Sequence, residues 1–364
     1  MKILYIITGL GGGGAEKVVA GLADEMSKLG HIVKIAYLRG QVVVCPENSQ
    51  IELIYLGLEN FKDFKFACKN YKKLLKEFKP DVVHSHMVHA NIFTRILRIF
   101  YPIPKLICTA HSNNEGGKGR MFAYRLTHHL SDLTTNVSQS ASKSFEDLGA
   151  VPKYGIQTIY NGINIDKFKK DDKSKVNIRS SFNIGTNELM LLAVGRLHEA
   201  KDYPNLLQAV HLIIKRNLIS TKVNLIIAGE GGLRSHLETM IAKLELGNNV
   251  QLIGRRNDIP QLMSAADIFV LSSSFEGFGL VVAEAMACET YVVATNCGGV
   301  EEVMGGFGIL VPSSDFEELA HGIEQALLKD KEEISQNNMN ALRYVKNSLA
   351  LSEVVDQWIK LYEQ

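Results

Sequence analysis

The sequence predicts two doubly wound α/β domains in series, and three observations carry that prediction. Short apolar runs alternate with amphipathic segments along the whole chain. The alternation occurs twice. A polar, charged stretch without apolar periodicity, "NIDKFKKDDKSK" at Asn164–Lys175, separates the two rounds. Alternation of this kind builds parallel sheets with helices on both faces, because each crossover helix returns the next strand to the same direction. At 364 residues the chain is also too long for one ordinary core.

In the first round, the strand Ile3–Thr8 runs into "GLGGGGAEKV", where Gly9, Gly11 and Gly14 are spaced G-x-G-x-x-G. Ala15, Val18, Val19, Leu22, Met26 and Leu29 then share a helical face, and Gly30 ends that helix. Further strands are expected at Ile32–Leu38, Ile51–Leu56, Asp81–His84, Lys105–Ala110, Leu133–Val137 and Gln157–Tyr160. Between the third and fourth lies "FKDFKFACKNYKKLLKEFK", in which Phe61, Phe64, Cys68, Tyr71, Leu75 and Phe78 recur at helical spacing. The second round has strands at Leu189–Val194, Val223–Ala228, Val250–Ile253, Ile268–Leu271, Tyr291–Ala294 and Gly308–Val311. A last helix, Leu349–Tyr362, carries the only tryptophan, Trp358, and is expected to pack back on the first domain. The expected domains are therefore residues 1–166, joined by 347–364, and residues 167–346, with a cleft between them.

Composition narrows the class. Apolar content of 46% and charge of 22% are ordinary for a soluble enzyme. The net charge of +1 hides an asymmetry: residues 1–164 carry 20 Lys and Arg against 13 Asp and Glu (+7), whereas the remainder is at −6. A basic first half points to an anionic partner, such as a membrane surface or a phosphorylated substrate. No bases interleaved with stacking aromatics speak for nucleic acid. Five scattered cysteines without C-x-x-C read as reduced thiols of a cytoplasmic protein. One Lys and a short apolar run before Thr8 and the glycines are not expected to act as a signal peptide, and no apolar run of about 18 residues is present.

The glycine loop alone leaves its ligand open. An NAD enzyme would place an acidic residue at the end of the second strand, but that strand ends in Arg39, which would at best suit NADP. Such a loop admits close backbone approach by any anion or sugar, because glycine removes the Cβ obstruction. The second half is more specific. In "LMLLAVGRLHEAKDYP", Arg196 follows the strand and Lys201 comes five residues later, two cations suited to a diphosphate. In "SSSFEGFGLVVAEAMAC", Glu276 sits in a glycine-flanked turn, a helix starts near Phe278–Leu280, and Glu284 follows inside it. The helix N-terminus offers free N–H groups to a phosphate, and the two carboxylates can accept hydrogen bonds from sugar hydroxyls.

"GRLHEAKD" and "EGFGLVVAE", with its E-x7-E spacing, resemble the signature segments of retaining glycosyltransferases of the two-Rossmann (GT-B) type, family 4. "GLGGGGAEKVV", "VVHSHM", "CTAHSNN", "IYNGINIDKF" and "LIIAGEGGLRSHLE" extend the resemblance over nearly the whole chain, most in the style of bacterial O-antigen and capsule repeat-unit enzymes. The resemblance implies that Arg196 and Lys201 bind the donor diphosphate and stabilise the leaving group. It implies Glu276 on the donor sugar and Glu284 on the ribose, with Gly195, Gly277, Phe278, Gly279 and Leu280 lining the same site. Gly12 and Gly13 would approach the diphosphate from the first domain, His111 would contact the donor sugar, and Arg255, Arg256 and Ile259 would hold the base. His86, His89 and Asn91 are the acceptor-side candidates. "HSNN" departs from the family pattern, in which an acidic residue commonly follows the histidine.

The implied activity is retaining transfer of a hexosyl or N-acetylhexosaminyl group from a nucleotide sugar, with UDP the expected base, to a lipid-linked diphospho-saccharide. No cofactor and no metal are expected: His84, His86 and His89 lack a nearby acidic residue, and no D-x-D motif occurs. Seven lysines on 61–79 against Asp63 and Glu77 leave that helix at +5, which suits anionic lipid on the inner face of the cytoplasmic membrane. Two alternatives stand beside this reading: a GT-B sugar-nucleotide epimerase, and an NADP-dependent oxidoreductase using Gly9–Gly14 and Arg39.

Overall fold

The computed structural model describes residues 1–364. The chain folds into two compact units, one formed by Met1–Gly162 with Leu351–Gln364 and the other by Ile163–Ala350. The returning segment and the linker each fall four residues from the expected boundaries. The stretch read as a polar break is partly helical: Asp171 caps a helix Asp172–Ser181 with its carboxylate, and that helix buries Arg179. Its sequence hides the helix because its buried face carries a guanidinium. Arg179 donates to the Asp267 carboxylate at 3.0 Å and to the carbonyl of Ala265.

The first unit contains a seven-stranded sheet: β1 (Lys2–Ile7), β2 (Ile32–Tyr37), β3 (Glu52–Tyr55), β4 (Val82–His86), β5 (Lys105–Ala110), β6 (Leu133–Asn136) and β7 (Gln157–Thr158). The second contains six strands: β8 (Leu189–Val194), β9 (Val223–Ala228), β10 (Val250–Leu252), β11 (Ile268–Leu271), β12 (Tyr291–Asn296) and β13 (Ile309–Pro312). All pairings are parallel, which explains the near-continuous apolar runs: helices cover both faces, so both sets of alternating side chains are buried. Each strand lies within a few residues of its expected position.

Strand order is β3-β2-β1-β4-β5-β6-β7 in the first sheet and β10-β9-β8-β11-β12-β13 in the second. In each, the winding reverses once, between β1 and β4 and between β8 and β11. Connections on either side of such a point diverge to opposite faces and leave a crevice at the carboxyl ends of the two strands. The glycine loop follows β1, the histidines end β4, Arg196 and Lys201 follow β8, and Glu276 follows β11. Topology thus brings the motif residues of each half to one crevice of its own sheet.

Two helices of the first unit carry features noted in the sequence. Helix Leu351–Glu363 buries Leu351, Val354, Val355, Trp358 and Tyr362, a helical stripe, against the first unit. Gly162 and Gly21 make room for it: a Cβ on Gly162 would stand 2.7 Å from the Cα of Leu351. Helix Phe64–Phe78 buries Ala67, Tyr71, Leu74 and Phe78, and all seven lysines of 61–79 are exposed. Phe61, expected on the buried stripe, instead precedes the helix in a short 3-10 turn and is 92% exposed. The Asn60–Asp63 capping box starts the chain's helical path there and turns Phe61 outward.

Candidate active site

In the second unit, β8 ends at Val194 and the chain passes through Gly195 and the exposed Arg196 into a 3-10 turn, Glu199–Lys201. Gly195 is needed for packing: a Cβ there would lie 2.8 Å from Lys201 Cε, and one on Gly229 would lie within 1.8 Å of the Gly195 carbonyl. Lys201 therefore lies across the glycine and reaches Glu276, with Nζ to Oε1 at 2.5 Å. Ser273 Oγ donates to the same Oε1 at 2.7 Å. The loops are joined along their length. Ser274 N–H donates to the Ala200 carbonyl at 3.0 Å, and Ser272 Oγ donates to the Lys201 carbonyl at 2.8 Å.

After Glu276, Gly279 adopts φ +92° and forms the N-cap of helix Leu280–Ala287. That conformation is open to glycine and strained for other residues, so the glycine sets the turn that aims the first N–H groups of the helix. Phe278 is buried beside it, and Glu284 is buried one turn into the helix. A cation, a carboxylate and a glycine-capped helix start thus occur together, with the unpaired Arg196 on the adjoining loop. This is an arrangement for binding an anion that carries hydroxyl groups.

Further along, Gly254 turns at φ +73° after β10. Arg255 is exposed, and Arg256 grips Asp258 through Nε at 2.8 Å and Nη2 at 2.6 Å, just before Ile259 opens helix Ile259–Ala265. The guanidinium holds the Asp258 carboxyl below its ordinary range. Arg256 thereby braces the turn that presents Ile259.

In the first unit, Gly12 has φ +104° and Gly13 is the N-cap of helix Gly14–Lys28, whose cap has no side-chain hydrogen bond. The Leu10 carbonyl accepts from Val43 N–H at 2.8 Å and Val44 N–H at 3.0 Å, which pins the glycine loop. Beside it, β4 carries His84 and His86 on one face, their ring centroids 4.0 Å apart. His84 bonds Tyr362 Oη through Nδ1 at 2.7 Å and Thr109 Oγ1 through Nε2 at 2.6 Å. His86 Nδ1 pairs with His111 Nε2 at 3.0 Å. Burial holds His84 and His86 well below the ordinary imidazole pKa and brings His111 down to about 4, so all three rings are neutral near pH 7.

Two acceptor-side expectations are corrected here. Asn91 has no exposed surface: it accepts from Ser85 Oγ at 2.7 Å and donates to the Thr109 carbonyl and to Tyr124 Oη, so it braces the interior. His86 is likewise fully buried, behind His111. His89 alone of the three is half-buried, on helix Val88–Arg98. Glu115 escaped the sequence reading, in a loop that looks like a plain polar turn. Its carboxylate accepts from the His111 backbone N–H at 2.8 Å and from Tyr124 Oη at 2.7 Å, and burial raises its pKa. Glu115 thus lies four residues after His111 and bonds its backbone N–H, not its ring. No three His, Cys, Asp or Glu side chains are grouped to hold a metal ion.

Comparison with known proteins identifies the family and the fold. The family model for glycosyltransferase family 4 matches residues 12–167, and that for glycosyl transferases group 1 matches 174–342. An uncharacterized glycosyltransferase of Methanocaldococcus jannaschii is 30% identical over 269 residues, 68% of this chain and 66% of that protein. An Escherichia coli UDP-Gal:alpha-D-GlcNAc-diphosphoundecaprenol alpha-1,3-galactosyltransferase is 28% identical over 322 residues, covering 83% of this chain and 79% of its own. Among solved structures, Anabaena HepE in complex with UDP-glucose superposes with a TM-score of 0.86 at 22% identity, over 100% of this chain and 99% of that one. The fold is GT-B, two parallel-sheet α/β domains. The chain belongs to the group 1, family 4 glycosyltransferases.

Proposed function

We propose that this glycosyltransferase moves a hexosyl or N-acetylhexosaminyl group from a UDP-sugar to a lipid-linked diphospho-saccharide, with retention and without a metal ion. The observation that carries the reading is the Lys201–Glu276 pair beside the glycine-capped start of helix Leu280–Ala287. Breaking the anomeric C–O bond to a diphosphate builds negative charge on the departing oxygen. Arg196, the Lys201 ammonium and the helix N–H groups supply positive potential for it without a metal. Glu276, held by Lys201 and Ser273, has a second oxygen for a sugar hydroxyl. Glu284 lies farther into the helix and is assigned to the ribose. Retention then follows from attack on the face the diphosphate leaves, with the departing phosphate taking the acceptor proton. The E. coli relative's name, with its UDP-Gal donor and diphosphoundecaprenol-linked acceptor, supports the donor base and acceptor class.

Helix Phe64–Phe78, with seven exposed lysines in its neighbourhood, is proposed to rest on anionic lipid on the cytoplasmic side, which would bring the first unit to such an acceptor. No helix is long and apolar enough to cross a membrane.

The test is a screen of the purified protein against UDP-sugars and other nucleotide sugars, with and without lipid-linked diphospho-saccharides, in excess EDTA. Nucleoside diphosphate release that requires the acceptor supports the reading. Interconversion of nucleotide sugars without acceptor would favour the epimerase alternative, and activity that returns only with Mg²⁺ or Mn²⁺ would refute metal independence.

A further inference from the structure

The three neutral imidazoles of the first unit pose a proton-counting problem. His84 has both nitrogens partnered by hydroxyls. His86 has one partner only: Nδ1 faces His111 Nε2 at 3.0 Å, while its buried Nε2 has none. A single hydrogen bond between two neutral rings can be arranged in two ways. If His111 donates from Nε2, then His86 must carry its own proton on Nε2, an N–H buried without an acceptor. If His86 donates from Nδ1, its Nε2 keeps only a lone pair, and His111 must carry its proton on Nδ1. Orphaned buried N–H groups are the rarer defect in folded proteins, which favours the second arrangement.

We infer that His86 is a positioning residue: by donating from Nδ1 it fixes His111 as the Nδ1–H tautomer, a neutral hydrogen-bond donor. The hydrogen bond at one ring nitrogen decides which nitrogen of the partner carries the proton. In water the neutral ring prefers its proton on Nε2, so the tautomer is imposed by the fold. His111 Nδ1 has no partner within the protein, so the imposed N–H is available to an oxygen acceptor. A sugar hydroxyl or phosphate oxygen is such an acceptor. A bare lone pair on Nδ1 could not bond a phosphate oxygen. His84, locked between Tyr362 and Thr109, lies 4.0 Å from the His86 ring and fills the space beside it. The inference rests on the proposed placing of His111 at the donor sugar, but the tautomer itself can be read without any substrate.

Two-bond proton–nitrogen correlation spectra of ¹⁵N-histidine-labelled protein at pH 7 identify the tautomer of each ring. His86 and His111 are both expected as Nδ1–H. A His111 protonated on Nε2 would overturn the inference whatever the protein's activity. Two variants then test the consequence. His86→Leu removes the donor, and His86→Asn keeps an N–H near the position of Nδ1. In the leucine variant, the His111 signal should move toward the Nε2–H pattern and kcat should fall about tenfold, the worth of one hydrogen bond. KM for the donor should change little, and asparagine should restore most of kcat. A leucine variant that keeps the Nδ1–H pattern, or an asparagine variant as slow as leucine, would overturn the positioning role. If the leucine variant does not fold, the wild-type spectrum and the asparagine variant still decide.

Discussion

At the ends of β8 and β11 the second unit gathers charge: Arg196 exposed, Lys201 bound to Glu276, and a helix start aimed by Gly279. At the ends of β4 and β5 the first unit gathers three imidazoles that burial keeps neutral, backed by tyrosine, threonine and glutamate side chains. Both sites occupy the same topological position, the single reversal of a parallel sheet. Strand order therefore locates a site without deciding its chemistry. On the proposed reading, the second unit would meet charge that develops during a reaction, and the first would present neutral hydrogen-bonding groups whose charge does not change with modest shifts in pH.

The largest test of this contrast is removal of charge from the second unit. Arg196→Ala and Lys201→Ala should each lower turnover roughly a hundredfold or more, the cost of losing one stabilising donor at a developing anion. Steady-state kinetics reads the effect. Lys201→Ala should also lower the melting temperature, because it leaves the largely buried Glu276 without its cation, whereas Arg196→Ala should not. Near-normal turnover in both variants would end the assignment of the charged site to the leaving group.

The two carboxylates sharpen the contrast within the second unit. Glu284→Gln should weaken nucleoside diphosphate binding in calorimetry, and Glu276→Gln should leave that binding nearly intact while damaging turnover. The reverse ordering would exchange their roles.

Acid separates the units by stability. His84, His86 and His111 have folded pKa values below the unfolded value near 6.5, so the unfolded chain binds protons that the folded unit refuses. Their contribution is therefore fully present above pH 6.5 and is lost as pH falls toward 4, at up to about 1.4 kcal/mol per pH unit for each ring. Of the second unit's histidines, His198, His211, His236 and His321, none is buried. Trp358 lies 4.5 Å from the His84 ring, so its fluorescence reports the first unit. Its urea midpoint should drop between pH 7 and pH 5, and a midpoint that holds or rises would contradict the neutral-histidine account.

The smallest expected effect concerns surface charge. The protein should bind anionic vesicles but not neutral ones, and binding should weaken with salt. Changing Lys69, Lys72, Lys73 and Lys76 to Glu should abolish it with nucleotide binding intact. Binding that ignores lipid charge would leave the helix as a solvated face.

Legibility from the sequence follows burial chemistry. The strands were readable because a parallel strand covered on both faces is a continuous apolar run, as at Leu189–Val194. The charged site was readable because Arg196, Lys201, Glu276 and Glu284 lie in two short segments. The histidines of the first unit were named from the sequence, but the network around them was not, because its members come from four separate places: Tyr5, Thr109, Glu115 and Tyr362. Asn91 looked like a cleft residue because a lone polar side chain on a helix gives no sign of the interior donors and acceptors that meet it. Arg179 concealed a helix for the same reason.

The returning helix Leu351–Glu363 sets an order of maturation. Tyr5 and Tyr362 share a hydrogen bond across 357 positions, and Val354, Val355 and Trp358 complete the core of the first unit. On the ribosome, those residues are made only after all of Ile163–Ala350, which is contiguous and can close its own core as it emerges. The part synthesised first is thus finished last. Until residue 362 arrives, the face of β1 and β4 that bears Tyr5 and His84 is a greasy surface waiting in the crowded space around the nascent chain.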